Sequence, residues 1–279
     1  MALAAFDRLS LQGASRLATT LADLWWLVDV KRRRVARDNI LRCGIVTDAR
    51  RARSLSRRSA QHMGLVAIES LKSGEILDDG QWREHVRMEI APDVLAVLED
   101  PDRGLIMASG HFGNWEIAAQ LLSRYKPVAG ITRAMNNPRV EELIQRRKPR
   151  YRFHPIPKYA ADPRRFLTVL ESGEILALLT DQYAHSRGME VELFGHPAST
   201  HTTAAMLHLV SRAPLCFAAC RRTAPMRFEL TTSPLIVHPP SGDKKRDVHT
   251  ILSTINRHLE DAIREAPEQY VWGHRRWRD

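Results

Sequence analysis

The sequence predicts an α/β fold: a mixed central sheet flanked by helices, preceded by a helical N-terminal segment. Three observations carry this. From residue 104 onward, short apolar runs bounded by glycine, proline or polar residues alternate with stretches of helical period. Residues 1–75 are instead rich in alanine, leucine and arginine, with almost no proline or glycine before Gly64. Polar, chemically capable side chains then recur just beyond the ends of the apolar runs, where open α/β sheets gather their ligands. The expected organisation is a basic helical segment over 1–75 and an α/β domain over 76–279.

Taken in order, Lys72-Ser73-Gly74 and Asp78-Asp79-Gly80 punctuate the end of the helical segment, and 81–99 reads as one more helix containing Pro92. Strands are expected over 104–109, 127–132, 175–180, 215–221 and 228–237. Helices are expected over 114–125, 138–148, 166–171 and 200–211, with a closing amphipathic helix over 248–263. Pro239-Pro240-Ser241-Gly242-Asp243 marks a surface loop. There is no internal repeat and no low-complexity segment.

At 279 residues with 44% hydrophobic content, the chain can bury a substantial core. Its 42 lysines and arginines against 32 acidic residues give a net charge of +10, which suits nucleic acid, an anionic membrane or an acidic carrier protein. Cys43, Cys216 and Cys220 form no disulfide framework or metal pattern and read as core thiols of a reduced, cytosol-facing protein. The stretch 17–28 is apolar but is interrupted by Asp23 and closed by Asp29, short of the ~20 residues a spanning helix needs. Trp25 and Trp26 precede Lys31-Arg32-Arg33-Arg34. Both an interfacial helix gripping an anionic leaflet and an amphipathic helix packed on the domain fit this pattern.

The most informative stretch is Ser109-Gly110-His111-Phe112-Gly113-Asn114-Trp115-Glu116. An apolar strand leads into it and a helix leads out, which holds an imidazole at the C-terminal end of a sheet. A histidine acting as base needs an acceptor that fixes its tautomer and stabilises the imidazolium. Five residues on a continuous helix are about 140° apart, so contact between His111 and Glu116 needs a break, which Gly110 and Gly113 supply. Asn114 is a natural N-cap, with Glu116 in the first turn where the helix dipole favours an anion.

Further polar groups follow other strand ends. Arg133 follows Ile131-Thr132, where it could pair with phosphate or steady an oxyanion, or simply sit on the surface. Asp181 and Gln182 follow Leu178-Leu179-Thr180, and Thr200 stands at a predicted helix start, as a ligand or as an N-cap. Ser109 lacks the Gly-x-Ser-x-Gly elbow of a serine hydrolase. His196, His201 and His208 do not form a His-Glu-x-x-His metal frame and read as surface or packing residues.

Five motifs in order across 32–278 now carry a resemblance: HFGNWE at 111–116, TRAMNNP at 132–138, TDQ at 180–182, FGHPAST at 194–200 and APEQYVWGHRRWR at 266–278. Together they resemble the late acyltransferases of bacterial lipid A synthesis, within the wider glycerolipid acyltransferase-like group marked by His-x4-Asp/Glu. The resemblance implies a glycerolipid acyltransferase-like fold and transfer of a fatty acyl chain from an acyl-carrier protein or coenzyme A thioester to a lipid hydroxyl. It implies no metal or redox cofactor. By matching positions, His111 is the general base and Glu116 its partner, and Arg133 and Asn137 lie beside substrate head groups. Lys148 and Arg150 fall in a basic stretch where the family carries a functional arginine, from which Lys148 departs. Asp181 matches a family position at a strand end to which no role is attached. Family members usually begin with a transmembrane helix. This chain departs from that, so the expected location is the cytoplasmic face of the inner membrane, held peripherally or by an interfacial anchor.

Other readings remain at this stage. The acceptor could be another membrane lipid, such as a phosphatidylinositol mannoside, an ornithine-type lipid or a lysophospholipid. A non-catalytic membrane-binding protein would share the basic charge. A nucleic-acid-binding protein is disfavoured, because the basic runs at 31–34, 50–58 and 146–152 lack interleaved aromatics and match no recognition module.

Overall fold

The computed structural model describes residues 9–77, 80, 82–133, 151–158 and 162–278. The chain opens with three helices, α1 (Leu11–Val28), α2 (Val30–Arg42) and α3 (Ala49–Leu71). Each starts at a side-chain cap: Ser10 accepts from the Gly13 N–H, Asp29 from Arg32, and Asp48 from Arg50 and Arg51. The buried stripe of α1, Ala14-Ala18-Ala22-Trp26, lies against α3. A Cβ added at Gly64 of α3 would stand 2.9 Å from the Ala18 carbonyl, so the small residues set how closely the two helices pack. Trp26 donates to Ser56 Oγ at 3.0 Å inside this contact, while Trp25 points outward.

After short helical turns at Gly74–Leu77 and Trp82–His85 come β1 (Val86–Glu89), α4 (Pro92–Glu99), β2 (Leu105–Ser109), α5 (Trp115–Leu122) and β3 (Val128–Thr132). Then follow β4 (Phe153–Pro157), α6 (Pro163–Glu171), β5 (Ile175–Leu179), β6 (Gly188–Leu193), β7 (His196–His201) and α7 (Thr203–Ser211). The fold ends with β8 (Leu215–Ala224), β9 (Arg227–Thr232), α8 (Lys244–Glu265) and an extended tail. The central sheet has the order β1-β9-β8-β2-β5-β3-β4, and only the β8–β9 pair is antiparallel. A mixed sheet flanked by helices is therefore what the chain builds, with β6 and β7 paired as a separate hairpin.

The central strands read as continuous apolar runs because both of their faces are covered. On β2, Leu105 and Met107 join the cluster around Ile117, Leu121 and Val94, whereas Ile106 and Ala108 join the cluster around Ile251, Ile255 and Leu259 of α8. Of the N-terminal helices, α2 and α3 share that second core, through Ala36, Ile40 and Leu55. Cys43, Cys216 and Cys220 are free and buried, and burial pushes the first two thiols up to about 12.

Two expected helices differ. The span 81–99 divides into a helical turn, strand β1 and helix α4. Residues before a proline are steered away from helical backbone, and Pro92 then opens α4 at its first turn. The helix expected from 200 begins only at Thr203, because 196–201 pairs with 188–193 through a tight turn at Phe194-Gly195, both at positive φ. The expected helix over 138–148 lies outside the described residues.

Candidate active site

Register places the catalytic candidate. β2 and β5 run parallel with Ser109 opposite Leu179, so two residues further along His111 and Asp181 emerge side by side. His111 Nδ1 and Asp181 Oδ1 are 2.8 Å apart, and the His111 backbone N–H donates to Asp181 Oδ2 at 2.9 Å. Both carboxylate oxygens thus engage His111, and the Tyr270 side chain also hydrogen-bonds to this carboxylate. Gly110 permits the approach: a Cβ there would stand 2.7 Å from Leu259 Cδ1 and 3.4 Å from Asp181 Cγ. Gly113, at φ +60°, turns the chain under the Cys220 carbonyl, which any added Cβ would strike.

With Nδ1–H donated to Asp181, the lone pair of Nε2 is left facing the cleft, where Gln182 Nε2 lies 3.3 Å away. Burial disfavours the imidazolium, but the Asp181 charge and hydrogen bond outweigh it, and the His111 pKa lies above the ordinary histidine value. Asp181 is 1% exposed; burial alone would raise its pKa, yet His111 holds it below the usual carboxylate value. The Trp115 ring stands edge-on to His111 at 5.1 Å between centroids.

Glu116, expected to hold the imidazole, does not occupy Nδ1. The acceptor is Asp181, seventy positions away in sequence. Glu116 instead lines the same cleft from the first turn of α5, behind Asn114, whose Oδ1 accepts from the Ile117 N–H as the expected N-cap. The glycine break leads the chain into α5, and sheet register, not the local turn, sets who meets the ring.

The turn is braced from behind by a buried polar network. His62 of α3 donates from Nε2 to the Gly113 carbonyl at 3.0 Å, and its Nδ1 accepts from Arg222 Nη1 at 2.7 Å. That pairing requires a neutral ring, and burial first, then the Arg222 charge, depresses the His62 pKa to about 3. Arg222 of β8 is bidentate on Glu69 of α3, with Nη2 donating at 2.6 Å. Glu69, 0% exposed, also accepts from Asn114 Nδ2 at 2.9 Å. The tail closes the other side. Gly113 N–H donates to Gln269 O, Val271 N–H to His111 O, and the Gln269 side chain pairs with both the N–H and the carbonyl of Arg222. The C-terminal motif is therefore a strap across the catalytic turn.

His111 stands at the head of a cleft of about 510 Å³, within the range of small-molecule sites. Its walls are largely apolar, with Met107, Ala118, Leu122, Ile131, Phe153 and Leu179 among them; Glu116, Arg133, Lys158, Gln182 and His201 are among its polar groups. Arg133 lines the cleft and is exposed to solvent. Lys158 was not expected there, and His201, read as a surface or packing residue, lines it as well. Thr200 is not an N-cap and does not line the cleft: it is buried in β7, where its Oγ1 accepts from Arg276 Nη2 at 2.6 Å. Asn137, Lys148 and Arg150 lie outside the described residues.

The brace makes a prediction about stability. Replacing Arg222 by methionine leaves Glu69 charged and buried without its partner, which should cost about 3–5 kcal/mol in denaturant unfolding. The double change Glu69→Gln/Arg222→Met should lose clearly less than the single one. Equal losses would mean that the ion pair does not act as a unit.

Comparison with known proteins gives the family. The family model for bacterial lipid A biosynthesis acyltransferases matches residues 2–279. The lipid A biosynthesis lauroyltransferase of Escherichia coli K12 is 29% identical over 201 residues, covering 71% of this chain but only 62% of that enzyme's length. The palmitoleoyltransferase of the same organism is 23% identical over 251 residues, 89% of this chain and 79% of its own length. A crystal structure of a 1-acyl-sn-glycerophosphate acyltransferase from Thermotoga maritima overlays with a TM-score of 0.37 and 12% identity, over 88% of this chain and 98% of its own, a likeness too low to bear on the site. With the family model matched from the second residue to the last, the chain belongs to the bacterial lipid A biosynthesis acyltransferase family.

Proposed function

We propose that this protein transfers a fatty acyl chain from a thioester donor, acyl-carrier protein or acyl-coenzyme A, to a hydroxyl of a lipid A-like acceptor, with His111 as general base. The observation that carries the reading is the state of the imidazole: Nδ1 is fixed by Asp181 while Nε2, an acceptor for the Gln182 amide, lies at a largely apolar cleft fit for an acyl chain.

In this mechanism the acceptor hydroxyl gives its proton to His111 Nε2 as its oxygen attacks the thioester carbonyl. Asp181 holds the ring and stabilises the imidazolium, the role that the sequence assigned to Glu116. Arg133 lines the cleft on the acyl side and is our candidate for steadying the tetrahedral oxyanion or a substrate phosphate. Collapse of the intermediate breaks the C–S bond, the sulfur takes the proton back from His111, and the products are an ester and a free thiol. The reaction as written needs no metal, no redox cofactor and no acyl-enzyme. Glu116 remains in the cleft, where a role toward substrate is open to it.

We further propose peripheral attachment to the cytoplasmic face of the inner membrane. No helix among the described residues is long and apolar enough to cross a membrane. The outer stripe of α1 is nonetheless apolar: Leu17 is 41% exposed, Leu21 54%, Leu24 56%, Trp25 60% and Val28 75%. The basic run 31–34 begins just beyond it, which suits an anionic surface.

Three outcomes are expected. Acyl transfer to under-acylated lipid A, assayed with each thioester by mass spectrometry, should fall by about 10²–10⁴-fold in His111→Ala; equal activity would remove the base. Because His111 must be neutral to accept a proton and its pKa is raised, kcat/KM should climb with pH to a midpoint above about 6.5. Asp181→Asn should lower both the rate and that midpoint, and an unmoved midpoint would detach Asp181 from the base. Introducing aspartates at Leu17 and Leu27 should weaken sedimentation with phosphatidylglycerol vesicles by about tenfold or more, given ~1.5–3 kcal/mol for each buried apolar side chain.

A further inference from the structure

The molecule has a second apolar groove, of about 1020 Å³, on the opposite side of Gln182 from the catalytic cleft. It runs between α1 and α3 and is closed at its inner end by the C-terminal strap. Leu21, Leu24 and Trp25 form its outer wall, Met63 and Ala67 its α3 wall, and Val271 its inner wall. The outer wall belongs to the exposed stripe of α1, so the groove is open on that apolar face. At its inner end stand Gln182 and His274. Gln182 Nε2 is 3.3 Å from His111 Nε2, and it lines both hollows. His274 accepts from the Tyr183 N–H at 3.1 Å and feels the charges of both Asp181 and His111.

We propose that this groove binds an acyl tail of the lipid acceptor, drawn in from the membrane surface, and so delivers the acceptor hydroxyl to His111 from the side opposite the donor's chain. The inference rests on the transferase reading above and adds a separate site for the second substrate. Three features select a lipid tail. The walls are apolar. The groove is continuous with the face that α1 turns outward. Its rim also carries the charge that an anionic lipid head group needs: Arg32 and Arg33 border it, and the one acid there, Asp29, is already paired with Arg32 at 3.6 Å. Arg33 is held in place over the Trp26 ring at 4.9 Å. A single hollow would have to hold both chains end to end, whereas two hollows that share Gln182, whose amide is 3.3 Å from His111 Nε2, keep the two chains apart.

The test pairs kinetics with labelling. In Ala60→Trp the added indole fills the groove from its α3 wall. The KM for under-acylated lipid A in phosphatidylglycerol vesicles should rise about tenfold, while the KM for the acyl thioester stays within about twofold. An unchanged acceptor KM, or equal rises for both substrates, overturns the proposal. Independently, wild-type protein is irradiated on phosphatidylglycerol vesicles whose acyl chains carry a terminal diazirine. Adducts on Met63 and Val271, found by peptide mass spectrometry, support the groove. Adducts confined to Leu17 and Leu27, or to Phe153 and Ile131 of the catalytic cleft, overturn it. Should wild type consume neither thioester, the transferase reading fails by itself, and the labelling pattern still decides whether the groove takes a lipid tail.

Discussion

The hydrogen-bonded pair of His111 and Asp181 depends on parallel strands β2 and β5 being in register, and the rest of the site is arranged around it. Two adjacent strands ending at the same height bring their next residues together without any long side chain reaching across. Asp181 is then buried with both oxygens engaged by one histidine, which raises the imidazole pKa and leaves a single nitrogen to do chemistry. An imidazole held this way is tuned by position: shifting either strand by one residue would turn its side chain to the other face of the sheet.

That precision has to survive at a glycine-flanked turn, which by itself would be loose. The structure fixes it from two directions. Glu69, Arg222 and His62 form a buried network that ties α3 and β8 to Gly113 and Asn114, and the C-terminal strap hydrogen-bonds to the same turn from the other side. Burying charge is expensive, and such a network is tolerated when every member has a partner. Because α3 also carries α1, the helix with the exposed apolar stripe is mechanically joined to the catalytic turn through one intervening element. Helices α2 and α3 are thus part of the site's foundation and share its core, and α1 packs on α3.

Charge and apolarity are distributed to match. The cleft at His111 and the α1–α3 groove are both mostly apolar, and Gln182 lines both. Basic side chains stand at their rims, with Arg133 and Lys158 on one and Arg32 and Arg33 on the other. The amphipathic substrates of the proposed reaction, with acidic heads and long tails, would suit this division of labour, and a net charge of +10 would favour their approach.

The sequence by itself determined the α/β class, the helical start, most central strands and the strand–turn–helix that carries His111. These are local matters: apolar runs buried on both faces, caps such as Asn114 and glycines such as Gly113 write their structure into adjacent residues. Helix 81–99 was misread for a related reason, since its apolar spacing suits a helix and only the neighbouring strand β9 draws 86–89 into the sheet. Thr200 was misread because the hairpin that buries it is chosen by pairing with 188–193. The motif listing Asp181 was visible, but its partner was not: Glu116 is five residues from His111 and Asp181 is seventy, and only the packed sheet brings the farther carboxylate to the ring. The same holds for Glu69, Arg222 and His62, three polar residues unremarkable along the chain. Packing alone chooses which acid meets the imidazole, what braces the turn, and that two hollows share Gln182 beside it, because each of these is a contact between segments that no local pattern connects.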